Sequence, residues 1–573
     1  MLQTAIMRLY EKVTGRLRTP EGFFDPIQST IGVKQGCPLS PTLFGLYIDE
    51  LEDFLLKSSH PGDVCYLYWV LISILLFADD VVLLASSPDG LQRLLDGLAS
   101  FCVQRQLVVN LSKTRVMVFN CLKTSHLHFF FQGQEVEITP SYTYLGVKFS
   151  GPRFSLRSAI QSRVCKGMGS LALLEKQCFR HHFQDISSKL SLFDSLVRPT
   201  VLYGSVAWGP SLITSDWASI ERVQTLFLRR IIRCHRLTPH SIVLAEFGAH
   251  PLKLAVIFDL IWFLHRIRGF METCSHRHRY SYLAYCSSVD IASSITSVRS
   301  RCWYAQATSL LGSIGIDIDR LPPYQFSLDA PAHLLPSCQE LNDHVRQDIY
   351  RQYIVATWCN PPGGLRPKMA FYHEHFLEIQ DGIVARPAYL SRRWNHALRF
   401  SLGSFRVGSH RLRVQTDHHM DRADRLCQLC TLAEVETEHH FIFRCSRYYE
   451  IRGRFYCLFR DCSSLSMFFS YIDQRCLALF LQEATHLREI TLQSFIPQKC
   501  TPDQLITAFF SPLSTPRGLK RPFTTSHSRS VRHCTNLLRQ RQSYSGSSRH
   551  SKAMNCSRAY LSITDFFVAR KDP

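Results

Sequence analysis

Two adjacent carboxylates between apolar runs are the residues of this chain best suited to chemistry. Asp79 and Asp80 follow the apolar run 69–76 and precede the apolar run 81–85. Two strands joined by a tight turn would hold both carboxylates at the tip of a hairpin. Close carboxylates repel each other unless a cation lies between them, and Mg²⁺ prefers hard oxygen ligands. The pattern indicates a Mg²⁺ site, and a solvated Asp-Asp turn is the alternative for this pattern alone.

A second group of residues has the types and the spacing of metal ligands. Cys427, Cys430, His440 and Cys445 follow the spacing Cys-x2-Cys-x9-His-x4-Cys. Thiolates and imidazoles are the usual donors of tetrahedral Zn²⁺ sites, and four protein ligands leave no open position, which is typical of a structural ion. The alternatives are reduced thiols in a small core and a redox-active Cys-x-x-Cys pair.

The flanking sequence predicts the elements that must position the aspartates. Ser40 and Pro41 are typical of a helix start, with Ser40 as the N-cap and Pro41 at the first helical position. Apolar residues then recur at helical spacing. The predicted elements are helix 40–55, the Asp79-Asp80 hairpin, helix 88–106, strands within 107–119 and 127–149, and helices from residue 155 onward.

Length, charge and cysteine content restrict the class of protein. The chain has 573 residues, 46% of them hydrophobic, so we expect several domains with large buried cores. The net charge of +20 favours a polyanionic partner, nucleic acid before membrane. The 21 cysteines lack a disulfide-type repeat, which favours reduced thiols in an intracellular compartment. The apolar runs are too short to cross a bilayer, so we expect no membrane partner.

Four motifs occur in a fixed order along the N-terminal part of the chain. They are Gly32-Val33-Lys34-Gln35-Gly36-Cys37-Pro38-Leu39-Ser40-Pro41, Phe77-Ala78-Asp79-Asp80, Asn110-Leu111-Ser112-Lys113-Thr114 and Tyr144-Leu145-Gly146. This ordered set resembles the reverse transcriptases of non-LTR (LINE-like) retrotransposons. The resemblance covers roughly residues 1–260 and resumes at 394–450 with the cysteine/histidine segment. Group II intron and telomerase relatives would match the first region but not the second.

The resemblance implies a fold and a domain order. The fold would be α+β, with a partial right-hand polymerase palm made of an antiparallel sheet and helices. A helical thumb, a connector and a small zinc-binding domain would follow. The implied boundaries are palm 1–150, thumb 151–270, connector 271–393, zinc-binding basic domain 394–460, a helical segment 461–510 and a disordered basic tail 511–573.

The resemblance also assigns roles to single residues. Asp79 and Asp80 would be catalytic and bind two Mg²⁺ ions in the intact site, with Asp79 as the main ligand. An RNA template and a DNA primer would be the partners. Nucleotide or template binding would fall to Gln35, Gly36, Ser40 and Lys113, and the primer grip to Tyr144, Leu145 and Gly146. Ordinary turn and cap chemistry is the alternative for Gln35 and Ser40, a surface lysine for Lys113, and a strand ending at a glycine bulge for Tyr144-Leu145-Gly146.

One departure from the family pattern concerns the first catalytic aspartate. In the family this residue lies on a strand well before the glycine-rich motif, whereas residues 1–24 here contain no aspartate and Asp25 lies seven residues before Gly32. The resemblance therefore predicts that this strand and the fingers are missing, and that the chain alone is an inactive RNA-directed DNA polymerase fragment. The alternative is a non-catalytic nucleic-acid-binding remnant or domesticated protein.

Two basic segments are candidates for nucleic-acid contact. Helix 220–233 would place arginines along a phosphate backbone or on a solvated face. Between Asp503 and Asp565 there is no acidic residue, which is typical of a disordered basic tail. Its end resembles a peptide that docks on DNA sliding clamps, with Ile563, Phe566 and Phe567 as apolar plugs. A sliding clamp would then be a partner, and the localisation would be intracellular, nuclear or nucleocytoplasmic.

Overall fold

The computed structural model has a mixed fold of helices and small antiparallel sheets. It describes residues 2–494 and the strand Tyr560–Val568. The positions left out within 2–494 are 12, 21, 30–31, 35, 68, 122–123, 125, 152–154, 274–278, 295–301, 318–345, 360, 362, 381–382 and 393. The predicted α+β class is confirmed at this level.

The N-terminal region, residues 2–150, holds most of the strands. Its elements are α1 (Leu2–Tyr10), β1 (Val13–Gly15), β2 (Arg18–Thr19), β3 (Gly22–Phe23), β4 (Ile27–Ser29), α2 (Ser40–Ile48), α3 (Leu51–Ser58), β5 (Cys65–Leu67), β6 (Val70–Ile72), β7 (Ile74–Phe77), β8 (Asp80–Ala85), α4 (Pro88–Gln104), β9 (Leu107–Val109), β10 (Arg115–Val118), β11 (Phe130–Phe131), β12 (Gln134–Glu135), β13 (Ser141–Tyr144) and β14 (Val147–Ser150).

Helix α4 covers the largest sheet of this region and forms its core. The helix begins where the sequence predicts, because the Ser87 hydroxyl accepts a hydrogen bond from the Gly90 amide at 3.0 Å and Pro88 occupies the first turn. Its apolar face packs on β8 and α3. The buried residues of that face are Leu91, Leu94, Leu95, Leu98, Phe101 and Cys102, as the spacing predicts.

The largest sheet is joined by a strand from the far end of the chain. We call it the N-terminal sheet; its strand order is β10-β17-β8-β7, where β17 is Tyr560–Val568 and also pairs with β9. All these pairings are antiparallel. The sequence predicts a disordered tail over 511–573, so the strand at Tyr560–Val568 differs from that expectation.

Two local predictions for helix α2 need correction. The single helix expected over 40–55 is two helices, α2 and α3, separated at Asp49 and Glu50. Ser40 is the first helical residue rather than the N-cap, and it makes no capping bond. Its hydroxyl donates to the Lys34 carbonyl at 2.6 Å instead, since that carbonyl lies beside the helix start.

Residues 157–312 are helical wherever the structure describes them, apart from the connecting turns. The helices are α5 (Arg157–Arg180), α6 (Ile186–Leu192), a π-helical turn (Phe193–Val197), α7 (Arg198–Leu202), α8 (Ser205–Trp208), a 3₁₀ turn (Gly209–Ser211), α9 (Thr214–Ile232), α10 (His240–Glu246), α11 (Leu252–Thr273), α12 (Arg279–Ser293) and α13 (Trp303–Gly312).

The arginines of α9 do not form the continuous basic row that the sequence suggests. The Arg229 guanidinium donates to the Thr238 carbonyl at 2.6 Å, and Arg230 pairs with Glu175 of α5. Arg222 and Arg233 are exposed. Two of the four arginines therefore stabilise the helical region itself.

The remaining elements are short, except for the last helix. They are α14 (346–354), a π-helical turn (Val355–Cys359), α15 (Pro367–His375), β15 (Ile379–Gln380), β16 (Ile383–Val384), α16 (Ala388–Ser391), α17 (His396–Arg406), α18 (Arg413–Thr416), 3₁₀ turns at Arg422–Asp424, Ser446–Tyr448 and Tyr456–Leu458, a π-helical turn (His440–Arg444), α19 (Tyr449–Arg454), α20 (Leu465–Phe469) and α21 (Gln474–Ser494). None of the helices that the structure describes is both long and apolar enough to cross a membrane.

Candidate functional sites

Asp79 and Asp80 lie at the tip of the β7–β8 hairpin, as the sequence predicts. Phe77 pairs with Asp80, so Ala78 and Asp79 form a two-residue turn, and Ala78 adopts φ +53°. Asp79 is exposed and Asp80 is half-buried. Val81 and Val82 of β8 are fully buried, so the hairpin is anchored directly behind the carboxylates.

Tyr144 lies close enough to Asp80 for the carboxylate charge to change the pKa of the Tyr144 phenol. Burial raises the pKa of the Tyr144 phenol, and the negative charge of Asp80 raises this pKa further. Tyr144 ends β13 and pairs with Val147 of β14 across a Leu145-Gly146 turn, in which both residues have positive φ (+44° and +76°). Two motifs that lie far apart in the sequence thus meet at one end of the N-terminal region.

Lys113 lies in the turn between β9 and β10. Asn110 shapes this turn, because its side-chain oxygen accepts hydrogen bonds from the amide and the hydroxyl of Ser112 at 3.1 and 2.6 Å. The Lys113 side chain is exposed, and its carbonyl accepts a 3.4 Å hydrogen bond from the Tyr142 hydroxyl. The turn is therefore tied to the β13–β14 hairpin.

The glycine-rich motif forms a tight turn before α2. Gly36 adopts φ +80°, a backbone conformation that favours glycine. The space that a Cβ at this position would occupy is open, so the backbone conformation rather than crowding accounts for the glycine. Ser40 is buried, and its hydroxyl also lies 3.2 Å from the Tyr10 hydroxyl of α1. Ser40 therefore stabilises the turn. Gln35 lies outside the described residues.

The aspartate pair supplies only part of a two-metal ligand set. Two Mg²⁺ ions need several oxygen ligands from opposing strands. Among the side chains that the structure describes, no histidine, cysteine, aspartate or glutamate joins Asp79 and Asp80 in a metal-binding arrangement. These side chains thus do not complete the Mg²⁺ site that the sequence predicts.

The four predicted ligands of the cysteine/histidine segment lie together. Their donor atoms are all within 4.8 Å of one another. The Sγ atoms of Cys427 and Cys445 are 3.9 Å apart, and Cys430 Sγ lies 3.4 Å from His440 Nε2. Tetrahedral Zn²⁺, with Zn–S and Zn–N bonds of about 2.3 and 2.0 Å, places such atoms about 3.8 and 3.5 Å apart. Donor set and spacing therefore fit a tetrahedral divalent ion.

Glu434 fixes the orientation of the His440 ring. The carboxylate lies 2.9 Å from His440 Nδ1, so Nε2 faces the three sulfurs. Arg444 holds Glu434 in turn, through hydrogen bonds of 2.6 to 3.0 Å. A carboxylate behind a ligating histidine is a common arrangement in metal sites. Sequence spacing predicts the ligands but not Glu434, which lies six residues before His440.

Protonation within the cluster is uneven. The hydrogen bond from Cys445 lowers the pKa of the Cys427 thiol to about 4, against the opposing effect of burial. The neighbouring Cys427 thiolate and burial raise the pKa of Cys445. The hydrogen bond between the two sulfurs thus favours the thiolate form of Cys427 over that of Cys445, and a bound cation would favour deprotonation of all three cysteines.

The basic residues before the cluster are mostly tied to the protein. Arg406 is buried against Glu246, and His410 Nε2 lies 2.9 Å from Glu438. Arg413 contacts Asp417, and Arg425 donates to the carbonyls of Val414 and Met420. Several of the basic side chains in the predicted basic domain 394–460 therefore have partners within the protein.

The backbone of Ile563, Phe566 and Phe567 is extended within β17. Ile563 pairs with Val82 of β8 and Arg115 of β10, while Phe566 and Phe567 pair with Val109 and Val108 of β9. A clamp-docking peptide would need this segment as a short turn outside the sheet. The structure gives the predicted docking segment a different conformation.

Two comparisons with known proteins match part of this chain. Residues 9–149 match the family model described as "Reverse transcriptase (RNA-dependent DNA polymerase)". Over 150 residues, 26% of this chain, the sequence is 29% identical to a transposon-derived protein of Caenorhabditis elegans. The chain spans about half, 51%, of that relative. Together the matches support a transposon-type reverse transcriptase domain, and the family match contains the hairpin of Asp79 and Asp80 and the turn of Tyr144.

Proposed function

We propose that residues 1–150 are the palm of a non-LTR retrotransposon reverse transcriptase, in which Asp79 and Asp80 bind the metal ions of nucleotidyl transfer. The observation that carries the proposal is the Asp79–Asp80 hairpin tip beside Tyr144, inside the segment that matches the family. The cysteine/histidine cluster favours the non-LTR type over intron or telomerase relatives. Helices α5–α11 would serve as the thumb.

The chain's own residues would bind and orient the substrates. Bound Mg²⁺ would activate the primer 3′-oxygen and neutralise the triphosphate. The exposed Asp79 is the better placed ligand, the exposed Lys113 would contact the triphosphate, and the Tyr144-Leu145-Gly146 turn would hold the primer end. Because the side chains that the structure describes give this site no third carboxylate, we expect residues 1–573 alone not to extend a primer.

Primer extension on an RNA template tests the polymerase proposal. A chain with an upstream aspartate-bearing strand joined to residues 1–573 should extend the primer, and Asp79→Ala should abolish the activity. Asp89→Ala is the matched control, since Asp89 is an exposed aspartate on α4. Extension that survives Asp79→Ala would refute the site. Extension by residues 1–573 alone, lost on Asp79→Ala, would show that another residue completes it.

The cysteine/histidine cluster supports a second function, nucleic-acid binding by a zinc-stabilised segment. Cys427, Cys430, His440 and Cys445 would hold one structural Zn²⁺, because four protein donors leave no coordination position for a substrate. The full chain should contain about one zinc per molecule. Cys427→Ser should lose it, and Cys457→Ser, which changes an exposed cysteine outside the cluster, should keep it. Equal zinc in both variants would refute the site.

Salt dependence tests the nucleic-acid proposal. The net charge of +20 predicts sequence-tolerant binding to RNA or single-stranded DNA that weakens as salt rises. The full chain should show a steeper salt dependence than a variant lacking residues 511–557, because this deletion removes most of the acid-free segment and keeps strand β17. Equal slopes would exclude that segment from binding.

A further inference from the structure

The C-terminal strand β17 occupies a central position in the N-terminal sheet. Residues Tyr560–Asp565 pair with Ala85–Asp80 of β8 on one side. On the other side, Tyr560–Ile563 pair with Val118–Arg115 of β10, and Phe566–Val568 pair with Val109–Leu107 of β9. Every residue of β17 therefore has a backbone partner on at least one side.

Without β17 the sheet would be split into two parts. The strand order β10-β17-β8-β7 contains no direct pairing of β8 with β9 or β10. Adjacent strands lie about 4.8 Å apart, so β8 and β10 are about 10 Å apart, too far for backbone hydrogen bonds. One extended segment fits between them, and its length matches the space.

The second edge of β8 needs a strand to pair with because β8 lies in the core. Val81, Leu83 and Ala85 are completely buried. Only one edge of β8 is paired with β7, and buried backbone amides and carbonyls are almost always hydrogen-bonded. Removing β17 would leave the second edge of β8 and the facing edges of β9 and β10 unpaired, and such edges promote pairing with other chains.

The sequence of the segment is suited to a strand. Tyr560-Leu561-Ser562-Ile563-Thr564-Asp565-Phe566-Phe567-Val568 is rich in β-branched and aromatic residues and contains no Gly or Pro. The sequence before it, 511–559, is basic and serine-rich and contains no second apolar run of this kind. Its partners must therefore come from elsewhere.

We propose that the gap between β8 and β9/β10 is a strand-binding groove, and that its occupant is the chain's own segment Tyr560–Val568. Because the segment belongs to the same molecule, its binding is unimolecular and independent of protein concentration. Docking of Ile563, Phe566 and Phe567 on another protein would require β17 to leave the sheet, so the two states exclude each other. Insertion also makes Asp565 the register partner of Asp80, at the hairpin that carries the aspartate pair.

Hydrogen–deuterium exchange of the full chain tests the insertion. In the wild type, peptides covering 80–85 and 115–118 should be protected, whereas in Ile563→Pro they should exchange about tenfold faster or more, because proline cannot pair. Ser547→Pro, in the sequence before β17, is the matched control and should exchange like the wild type. Helix α9 should be unchanged in all three. Equal protection of 80–85 in the wild type and Ile563→Pro would overturn the proposal.

Photo-crosslinking identifies the occupant independently of stability. Replacing Phe567 by p-benzoylphenylalanine keeps an aromatic side chain at that position. Crosslinks within one molecule to the peptide containing Leu107–Val109 are expected, and they should not depend on protein concentration. Crosslinks only to other regions, or only between molecules, would show that another strand fills the groove and would overturn the proposal.

Discussion

Arg163 of α5 donates a hydrogen bond to the carbonyl of Gly146, in the turn beside the aspartate hairpin. The guanidinium also lies 4.3 Å from the ring centroid of Tyr203, and the arginine is buried. A Cβ at residue 146 would come within 2.9 Å of the Arg163 Nη2 atom, so this position favours glycine for space as well as for its φ of +76°. One arginine thus fixes the position of the β13–β14 turn against the helical region.

Arg163→Ala should destabilise the protein by about 2–3 kcal/mol, because it removes a charge-assisted hydrogen bond and a cation–π contact. Urea unfolding followed by circular dichroism measures the loss. Arg157→Ala is the control on the same helix: that side chain is half-exposed and lies 3.7 Å from Asp216, so we expect about 0–1 kcal/mol. An equal loss of unfolding free energy in the two variants would show that the contact of Arg163 with Gly146 does not add to stability.

Glu434→Ala should weaken zinc binding about 10–100-fold, because the carboxylate orients the His440 ring and increases its basicity. The measurement is competition with a chromophoric chelator on the full chain. Glu450→Ala, which removes an exposed carboxylate on α19, should bind zinc like the wild type. Unchanged affinity in Glu434→Ala would mean that the Glu434–His440 contact does not support the metal site.

Features of the structure that depend on local sequence were predictable. Helix α4 follows from a Ser-Pro start and apolar residues at helical spacing, and the β7–β8 hairpin follows from two apolar runs around a short turn. The group of Cys427, Cys430, His440 and Cys445 follows from spacing within one short segment. In each case the interacting residues lie close together in the chain, so periodicity and spacing contain the information.

Features that depend on distant residues were not predictable. Glu246 of α10 accepts hydrogen bonds from Tyr372 at 2.7 Å, Tyr389 at 2.6 Å and Arg406 at 2.7 Å. The pairing of β17 with β8 joins still more distant segments. No local pattern relates such residues, because the contact exists only once the intervening chain has folded.

The buried Glu246–Arg406 pair should be strongly coupled. Glu246 is fully buried, so Glu246→Leu or Arg406→Met alone should cost about 3–5 kcal/mol, since each leaves an unpaired charge in the core. The double variant should cost less than the sum of the two, by about 1–3 kcal/mol. Thermal unfolding of the wild type, the two single variants and the double variant gives the coupling free energy of the pair. The same set of variants at the exposed Arg454–Glu483 pair is the weakly coupled reference. Additive losses would contradict the pairing.

The last prediction concerns the pH dependence of stability at Glu221 of α9. Burial raises the pKa of this carboxyl to about 7, against the opposing hydrogen bonds from the amides of Lys253 and Leu252. Since the pKa in the unfolded chain is about 4.5, the folded state binds the proton more tightly. The resulting stabilisation is complete below about pH 4.5 and is lost as the pH rises through 7.

Glu221→Gln should remove this dependence, because glutamine does not ionise. Its single oxygen replaces only one of the two carboxylate oxygens that accept from the amides of Leu252 and Lys253, and that loss is the same at every pH. Relative to the wild type, the variant should gain up to about 3 kcal/mol between pH 5 and pH 8. His240, 3.6 Å from Glu221, has a pKa lowered to about 4 by burial, and its contribution largely cancels because both proteins contain it. Urea midpoints at several pH values give the difference. A difference that stays constant from pH 5 to pH 8 would show that Glu221 ionises normally in the folded protein.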